Sequence, residues 1–251
     1  MNWFEDAFRA DYRRVYPHRD LDAARPEARW LAAQGLRGRV LDLCCGFGRH
    51  TLLLAESGLD VVGLDLSDEL LLQARALPEF ERWLAGRLVR GDARELPFRD
   101  QCFDGLVNLF SSFGYFGELG DGRVLSEVAR VVRGGALVVL DLMNPSHVRA
   151  NLRDESVREG DDFLLRERRS LLEGGRRVVK DVELVVGGEA RRWREDVRLY
   201  ELGEMTPRLA DLGLDVRSVH GGFDGGIFDA RAARMLIVAE KRRRSTRVGS
   251  D

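Results

Sequence analysis

The segment Val40-Leu-Asp-Leu-Cys-Cys-Gly-Phe-Gly48 sets two glycines one residue apart behind an apolar run, with a helix-forming stretch directly after them. Glycines there let the backbone turn tightly and let a ligand approach with no Cβ in the way. A helix opening beyond them supplies free N–H groups. Asp42 stands four residues before Gly46, near the end of the apolar run. Asp65 closes the next apolar run, where a carboxylate can accept from both hydroxyls of a ribose. Asp92 follows a third run, in Arg90-Gly-Asp-Ala-Arg94. A nicotinamide dinucleotide wants G-x-G-x-x-G under its pyrophosphate, but the third glycine position here is Thr51. Asp42 beside the turn is expected to disfavour a pyrophosphate and to favour a cation. No G-x-x-x-x-G-K-[ST] exists, which excludes a P-loop. The better match is a ligand with adenosine at one end and a positively charged amino acid at the other.

The elements that must hold these residues alternate. Arg39 to Cys44, Asp60 to Asp65, Arg87 to Gly91, Phe103 to Phe110 and Ala136 to Leu142 read as buried strands. Between them Arg49 to Ser57, a helix capped by Ser67 and running through Leu77, and Glu118 to Arg133 read as helices, the last broken by Gly134-Gly135. Strand and helix in turn, with runs buried on both faces, predict an α/β fold with a doubly wound, mostly parallel seven-stranded Rossmann-like sheet. Before it, Trp3, Phe4, Phe8, Tyr12 and Tyr16 recur at near-helical spacing, and a second helix covers Ala23 to Gln34. After Met143 the texture changes. Phe163 to Leu172, Arg177 to Val186 and Ala190 to Tyr200 are separated by glycine pairs and read as consecutive antiparallel strands. A helix from Glu204 to Leu212 and strands Leu214 to Val219 and Met235 to Glu240 follow. The division expected is a helical cap over 1–35, a ligand-binding core over 36–145, an antiparallel β insertion over 146–201, the end of the core sheet over 202–241 and a flexible tail over 242–251.

The glycine turn with three acids at three strand ends resembles motif I and its partners in the class I S-adenosylmethionine-dependent methyltransferases, whose common form is Asp-x-x-x-Gly-x-Gly. The resemblance covers about Leu36 to Leu142 and resumes around Leu202 to Glu240. It implies S-adenosyl-L-methionine as cofactor, held by Asp42, Cys44, Gly46, Gly48, Asp65, Leu66, Gly91, Asp92, Ala93 and Asn108. Asp65 then takes the ribose, the Gly91-Asp92-Ala93 loop meets the adenine amine, and Asn108 to Phe116 forms the floor under the methyl donor. The N-terminal tyrosine-rich helices and the late insertion are similar to pieces that cover the pocket in small-molecule enzymes of the class. These include glycine N-methyltransferase and the sugar amino-methyltransferases. On that likeness Tyr16 joins the cofactor residues, with Tyr12 facing the donor as the weaker alternative to packing. The activity implied is methyl transfer to a small-molecule amine or hydroxyl. An RNA methyltransferase and a non-catalytic S-adenosylmethionine-binding domain stay open as alternatives.

No catalytic residue is assigned. His220, Tyr16 and Tyr115 are the candidate bases, since a hydroxyl acceptor needs one nearby. Phe110, Phe113, Tyr115 and Phe116 either line the pocket or fill the core. His18, His50, His147 and His220 show no i, i+4 pairing and no cysteine partner, so no metal site is expected; His50 reads as a cap-region contact. Asn144-Pro145-Ser146-His147 is similar to the Asn-Pro-Pro-Tyr box of nucleic-acid amino-methyltransferases, but it follows the fifth strand and lacks the aromatic. It reads as a turn.

The 251 residues are 44% hydrophobic with a net charge of -2, enough for one large α/β domain with a subdomain. That balance does not favour phosphate neutralisation, so nucleic acid is not an expected partner. The basic stretch Lys241 to Arg247 reads as a solvated terminus. No membrane partner is expected either, because no stretch approaches the roughly 18 apolar residues of a spanning helix. Cys44, Cys45 and Cys102 form no disulfide framework, and with no export pattern at the start a cytoplasmic address is expected. Residues 151–200 carry 12 basic and 12 acidic side chains, so the insertion is no phosphate-binding arm. Its apolar face is expected to roof the acceptor site together with the Tyr12/Tyr16 helix. A homodimer interface is the rival use of that face.

Overall fold

A computed structural model describes residues 3–243; the basic stretch and the tail expected at the C-terminus lie, from 244 onward, outside the described residues. In chain order the elements are α1 (Trp3–Ala7), α2 (Tyr12–Val15), α3 (Leu21–Ala33), β1 (Arg39–Leu43), α4 (Arg49–Glu56), β2 (Asp60–Asp65), α5 (Asp68–Gln73), α6 (Phe80–Trp83), β3 (Leu88–Arg90), β4 (Phe103–Asn108), α7 (Gly117–Val131) and β5 (Val132–Met143). They continue with α8 (Pro145–Asn151), β6 (Glu155–Glu159), β7 (Phe163–Leu172), β8 (Arg177–Val186), β9 (Glu189–Arg198), α9 (Leu202–Asp211), β10 (Leu214–His220) and β11 (Arg234–Lys241). The main sheet runs β10-β11-β5-β4-β1-β2-β3, parallel except where β11 turns against β5 and β10. Val40 to Leu43, Val61 to Leu64 and Val138 to Leu142 are all buried, which is why these strands read as continuous apolar runs rather than alternating ones. The strand order reverses between β1 and β4. Such a switch point opens a crevice beyond the strand carboxyl ends. The glycine turn after β1 and the aromatic segment after β4 flank that crevice.

Several elements depart from the sequence reading. The expected first helix splits into α1 and α2, because the turn between them gives its backbone to the core. Phe8 accepts from the Ser67 hydroxyl at 2.6 Å, and Ala10 donates to Glu69 at 2.5 Å and accepts from Gln73 at 2.9 Å. Helix α3 belongs to the core rather than to a cap over 1–35: Ala24, Ala28 and Leu31 pack with Val40, Leu53 and Leu54. The helix capped by Ser67 ends at Gln73 in a tighter turn, and α6 follows it unforeseen. Gly134-Gly135 does not separate α7 from β5. It sits inside β5 as extra chain between the Phe103–Val132 and Gly105–Leu137 pairs.

Asn144-Pro145-Ser146-His147 is not a turn but the start of α8. Asn144 accepts from Ser146 N–H as N-cap and proline takes the first helical position, where its missing N–H costs nothing. Strand β6 makes the insertion four-stranded, in the order β6-β7-β8-β9. It was hidden because Glu155-Ser-Val-Arg-Glu159 is a charged edge strand with no buried residue.

The insertion's two faces differ as its alternation predicts. On the outer face Arg166 and Arg192 meet Glu183, Arg168 meets Glu155 and Arg194 meets Asp181. At one end of the inner face Leu165, Val182, Leu184 and Trp193 pack against Ala7 and Val15 of α1 and α2. Further along, that face turns ionic, with Glu167, Lys180 and Glu195 meeting side by side.

Candidate functional site

The strand β1 ends at Leu43, and Cys44, Gly46 and Gly48 then adopt φ of 61°, 59° and 79°. Glycine is needed at 46 and 48 because a side chain is strained in this left-handed region. Cys44 takes the same conformation without that freedom, at the lip of the crevice. The turn is fixed from the next strand: Asp65 Oδ2 accepts from Gly46 N–H at 2.7 Å, and Oδ1 accepts from Ser67 N–H at 2.9 Å. Burial raises the Asp65 carboxyl above the usual range, and the N–H groups of Ser67 and Gly46 work against that rise. Asp92 is forked by Arg94, whose Nε and Nη2 lie 3.0 and 2.6 Å from its oxygens. These hydrogen bonds hold its carboxyl below the usual range.

A cavity of about 520 Å³ opens on these groups. Cys44, Gly46, Asp65, Leu66, Gly91, Asp92 and Ala93 all line it, so the acids ending β2 and following β3 do converge with the glycine turn. Four expected residues do not line it. Asp42 is 2% exposed and lies beneath the turn, where its carboxylate accepts from the Thr51 hydroxyl at 2.6 Å. Desolvation pushes it up to about 7, and the Thr51 hydrogen bond opposes this. Its part is to brace the turn, and Thr51, at the missing third glycine position, is its partner. Gly48 caps α4 and packs under Leu84 rather than against the cavity. Asn108 is 1% exposed and donates to the Leu43 carbonyl at 3.0 Å, tying β4 to β1. Tyr16 faces a second cavity instead.

That second cavity, about 660 Å³, lies under the ionic part of the insertion's inner face. Val178, Lys180, Glu195 and Val197 line it from β8 and β9, and Met143 and His147 from the end of β5 and from α8. Tyr16 donates to both Glu195 oxygens at 2.7 and 2.8 Å, and Lys180 bonds its hydroxyl. Burial first and Glu195 second keep the Tyr16 phenol well above its ordinary value. A phenol so held does not serve as a base at neutral pH. His220 lines neither cavity; it packs edge-on to Trp30 and bonds Ser218 at 2.9 Å. Phe113 is core, against Tyr200, whereas Phe110, Tyr115 and Phe116 line the first cavity.

The two cavities share a wall of Arg19, Phe110 and Tyr115. Phe110 and Ser111 both take φ of 57°, an unusual pair of non-glycine residues in that region. They are held there by Asp141, which accepts from Phe110 N–H at 2.7 Å through its carboxylate and from Ser111 N–H at 2.9 Å through its carbonyl. The guanidinium carbons of Arg49, Arg234 and Arg19 lie 4.1, 4.3 and 5.4 Å from the Phe110 ring centroid. Sequence reasoning missed Arg19. It donates to the Tyr12 hydroxyl at 2.5 Å and stacks on Tyr16, yet its Nε is buried without a partner and it has no carboxylate partner among the described residues. No local pattern marks it; only its place between the cavities does.

Comparison with known proteins finds methyltransferases. A methyltransferase domain family matches residues 40–135. The cypemycin N-terminal methyltransferase of a Streptomyces species is 27% identical over 223 residues, covering 84% of this chain and 87% of its own. A crystal structure of an S-adenosylmethionine-dependent methyltransferase from Clostridium acetobutylicum superposes with a TM-score of 0.76 at 16% identity, over 92% of this chain and 96% of the other. The chain carries a methyltransferase domain over residues 40–135, on the fold of S-adenosylmethionine-dependent methyltransferases. The sugar N-methyltransferase KedS8 from Streptoalloteichus sp also shares the fold, with a TM-score of 0.67 at 22% identity over 92% of this chain and 93% of its own. Among the described residues no helix is long and apolar enough to cross a membrane.

One electrostatic consequence is separable from catalysis. His50 is 5% exposed, opens α4, and shares a 2.8 Å hydrogen bond with Glu27. Desolvation lowers its pKa from 6.5 to about 4, against the opposing Glu27 bond. A lowered folded value means the unfolded chain binds the proton first, so this stability is present above pH 6.5 and is lost as pH falls towards 4. The contribution at pH 5 relative to pH 7 is about -2 kcal/mol by linkage. Asp42, raised from 3.8 to about 7, slopes the other way throughout that window and by a similar amount, so only the difference between wild type and variant reports on His50. The comparison is therefore between wild type and His50→Gln under urea at pH 7 and pH 5. The wild type is expected to lose the larger share of its stability; equal losses would show that His50 stays solvated.

Proposed function

We propose that the first cavity holds S-adenosyl-L-methionine and that the second holds a small-molecule amine or hydroxyl, the methyl passing across the shared Arg19–Phe110–Tyr115 wall. The observation that carries this reading is that wall: two cavities of ligand size meet at one place, beside the switch point of the sheet. The residues fit the donor. Asp65, its carboxylate oxygens already aligned by two N–H groups, is placed to accept from ribose hydroxyls. Gly91, Asp92 and Ala93 line the same cavity, for the adenine, and at Gly46 the left-handed backbone holds the turn with no side chain on the ligand side. The buried, unpartnered Nε of Arg19 suits the donor's carboxylate. Asp42, Gly48 and Asn108 support this cradle from behind, and Tyr16 belongs to the acceptor side.

When bound, the donor supplies a methyl group on a sulfonium, activated for in-line displacement. The chain's own task is to exclude water and align the acceptor, and positioning of this kind is worth about 7–11 kcal/mol. Held by Asp65, Gly46 and Arg19, the donor would give its methyl group to the acceptor's lone pair, and its sulfur would leave with the electrons of the broken bond. An amine acceptor must arrive neutral, and a hydroxyl must lose its proton to a base. The small-molecule reading is supported by the size of the second cavity and by the shared fold with a sugar N-methyltransferase. The insertion over 146–201, with α1 and α2, forms the roof. Its outer face is a ladder of ion pairs, which suits solvent better than a homodimer interface. The free thiols of Cys44, Cys45 and Cys102 fit a reducing, cytoplasmic setting.

Thermal-shift titration followed by labelled methyl transfer tests the reading. S-adenosylmethionine and S-adenosylhomocysteine are expected to raise the midpoint while NAD does not, and label is expected in the low-mass fraction of a cell extract. Label in purified tRNA instead would establish the RNA alternative. Donor binding with no transfer to any fraction would leave a binding domain.

A further inference from the structure

The two cavities carry opposite charge. Lining the first are Glu5, Asp65, Asp68, Glu69 and Asp92 against three arginines. Lining the second are Arg19, Arg153, Arg169, Lys180 and Arg234 against the single carboxylate of Glu195. Neighbours behind the lining neutralise part of that excess. Glu167 takes Arg169 at 2.5 Å and Lys180 at 3.4 Å, Glu195 takes Lys180 at 3.0 Å, and Asp141 pairs with Arg234. Two cations remain without a carboxylate among the described residues: Arg19 at the inner wall and Arg153 just beyond α8. His147 adds polarity beside Arg153. Its Nδ1 lies 2.8 Å from the Arg231 carbonyl, which fixes the proton on Nδ1 and leaves Nε2 without a hydrogen-bond partner among the described residues.

We propose that the second cavity selects an anionic acceptor, one carrying a carboxylate or phosphate group that Arg153 binds while the reacting end reaches the Arg19–Phe110–Tyr115 wall. This inference rests on the assignment of the two cavities to donor and acceptor. Charge decides it. With the donor's carboxylate on Arg19, and Glu167, Glu195 and Asp141 set against Arg169, Lys180 and Arg234, Arg153 is the cation left over on the lining, and a cationic acceptor would meet it. Arg153 is exposed, so it is free to meet the ligand without a buried partner to leave. Its planar fork matches a carboxylate or a phosphate through two parallel hydrogen bonds. The same positive charge would lower the pKa of an acceptor ammonium and so favour its neutral form, the form in which an amine reacts.

The test is calorimetric titration of the protein saturated with S-adenosylhomocysteine, using pyrophosphate, citrate and choline as probes. Saturation comes first so that Arg19 is already occupied and small anions report on the second cavity. Failure of S-adenosylhomocysteine itself to bind would overturn the cavity assignment, a separate outcome from failure of the anions. One-to-one, saturable binding of pyrophosphate or citrate is expected, with no binding of choline. The tighter of the two anions tells a phosphate-bearing from a carboxylate-bearing acceptor. Arg153→Glu is expected to weaken the better anion at least 10-fold while S-adenosylhomocysteine affinity stays within 2-fold; a charge reversal at a site worth about 1.4 kcal/mol or more gives that ratio. Because Arg153 is exposed, the variant folds normally, and its unchanged cofactor affinity verifies this. Absence of saturable anion binding, binding indifferent to Arg153→Glu, or preferential binding of choline would each overturn the proposal.

Discussion

Asp65→Ala is expected to weaken S-adenosylhomocysteine binding at least 100-fold, the largest effect of any single change in the first cavity. The carboxylate ends β2 with both oxygens oriented by the N–H groups of Gly46 and Ser67. Each hydrogen bond from a ribose hydroxyl to such a charged acceptor is worth about 1.5–3 kcal/mol. Losing two of them exceeds the about 2.8 kcal/mol that separates 100-fold in affinity. The Gly46 and Ser67 N–H groups face the cavity and water replaces their acceptor, so the fold survives with a lower midpoint. Asp65→Asn isolates the charge: it keeps one carbonyl acceptor and is expected to fall between wild type and alanine. Calorimetry on protein shown to be folded by circular dichroism decides the matter. Affinity for S-adenosylhomocysteine unchanged in a folded Asp65→Ala protein would remove the donor from this cavity.

The position of Asp65 could be read without a structure because it is set locally. A carboxylate at a strand's end, one strand over from a glycine turn, is fixed by the period of the fold, and β2 ends at Asp65 as its apolar run predicts. Likewise β7 and β8 match the expected bounds, since alternation and glycine pairs set them. What the sequence hid were features settled by distant partners. Asp42 reads as cavity-facing until Thr51, nine residues away, is seen to take its carboxylate beneath the turn. Tyr16 shares a helical spacing with Tyr12, yet Glu195, on the insertion, draws it into the second cavity. The N-terminal helix looks continuous because aromatic spacing does not register that Glu69 and Gln73 capture the backbone of Ala10. In each case a contact between residues far apart in the chain overrode a correct local pattern.

Arg19 is the clearest of these, and it gives the second large expectation. Its Nε is buried with no partner, and its one hydrogen bond runs to the Tyr12 hydroxyl, so in the free protein the guanidinium is short of acceptors. A buried unsatisfied donor costs about 1–3 kcal/mol. Arg19→Met removes that cost and keeps the aliphatic stem that packs on Tyr16, so the free protein is expected to unfold at the same or a higher temperature. Cofactor binding is expected to move the other way. A fork of two charge-assisted bonds to the donor's carboxylate is lost, and S-adenosylhomocysteine binds about 100-fold or more weakly. Arg19→Lys keeps the charge without the fork and is expected to recover roughly 10-fold of that loss, as a point charge does. 5′-Methylthioadenosine, which lacks the carboxylate, sharpens the test: its affinity is expected to be the same in wild type and in Arg19→Met. A group kept at a cost in the free protein and useful only with ligand bound must show that opposition of stability and affinity. If Arg19→Met instead destabilised the protein and weakened both nucleosides alike, Arg19 would be a brace for Tyr12 and Tyr16, and the donor's carboxylate would have to find another partner.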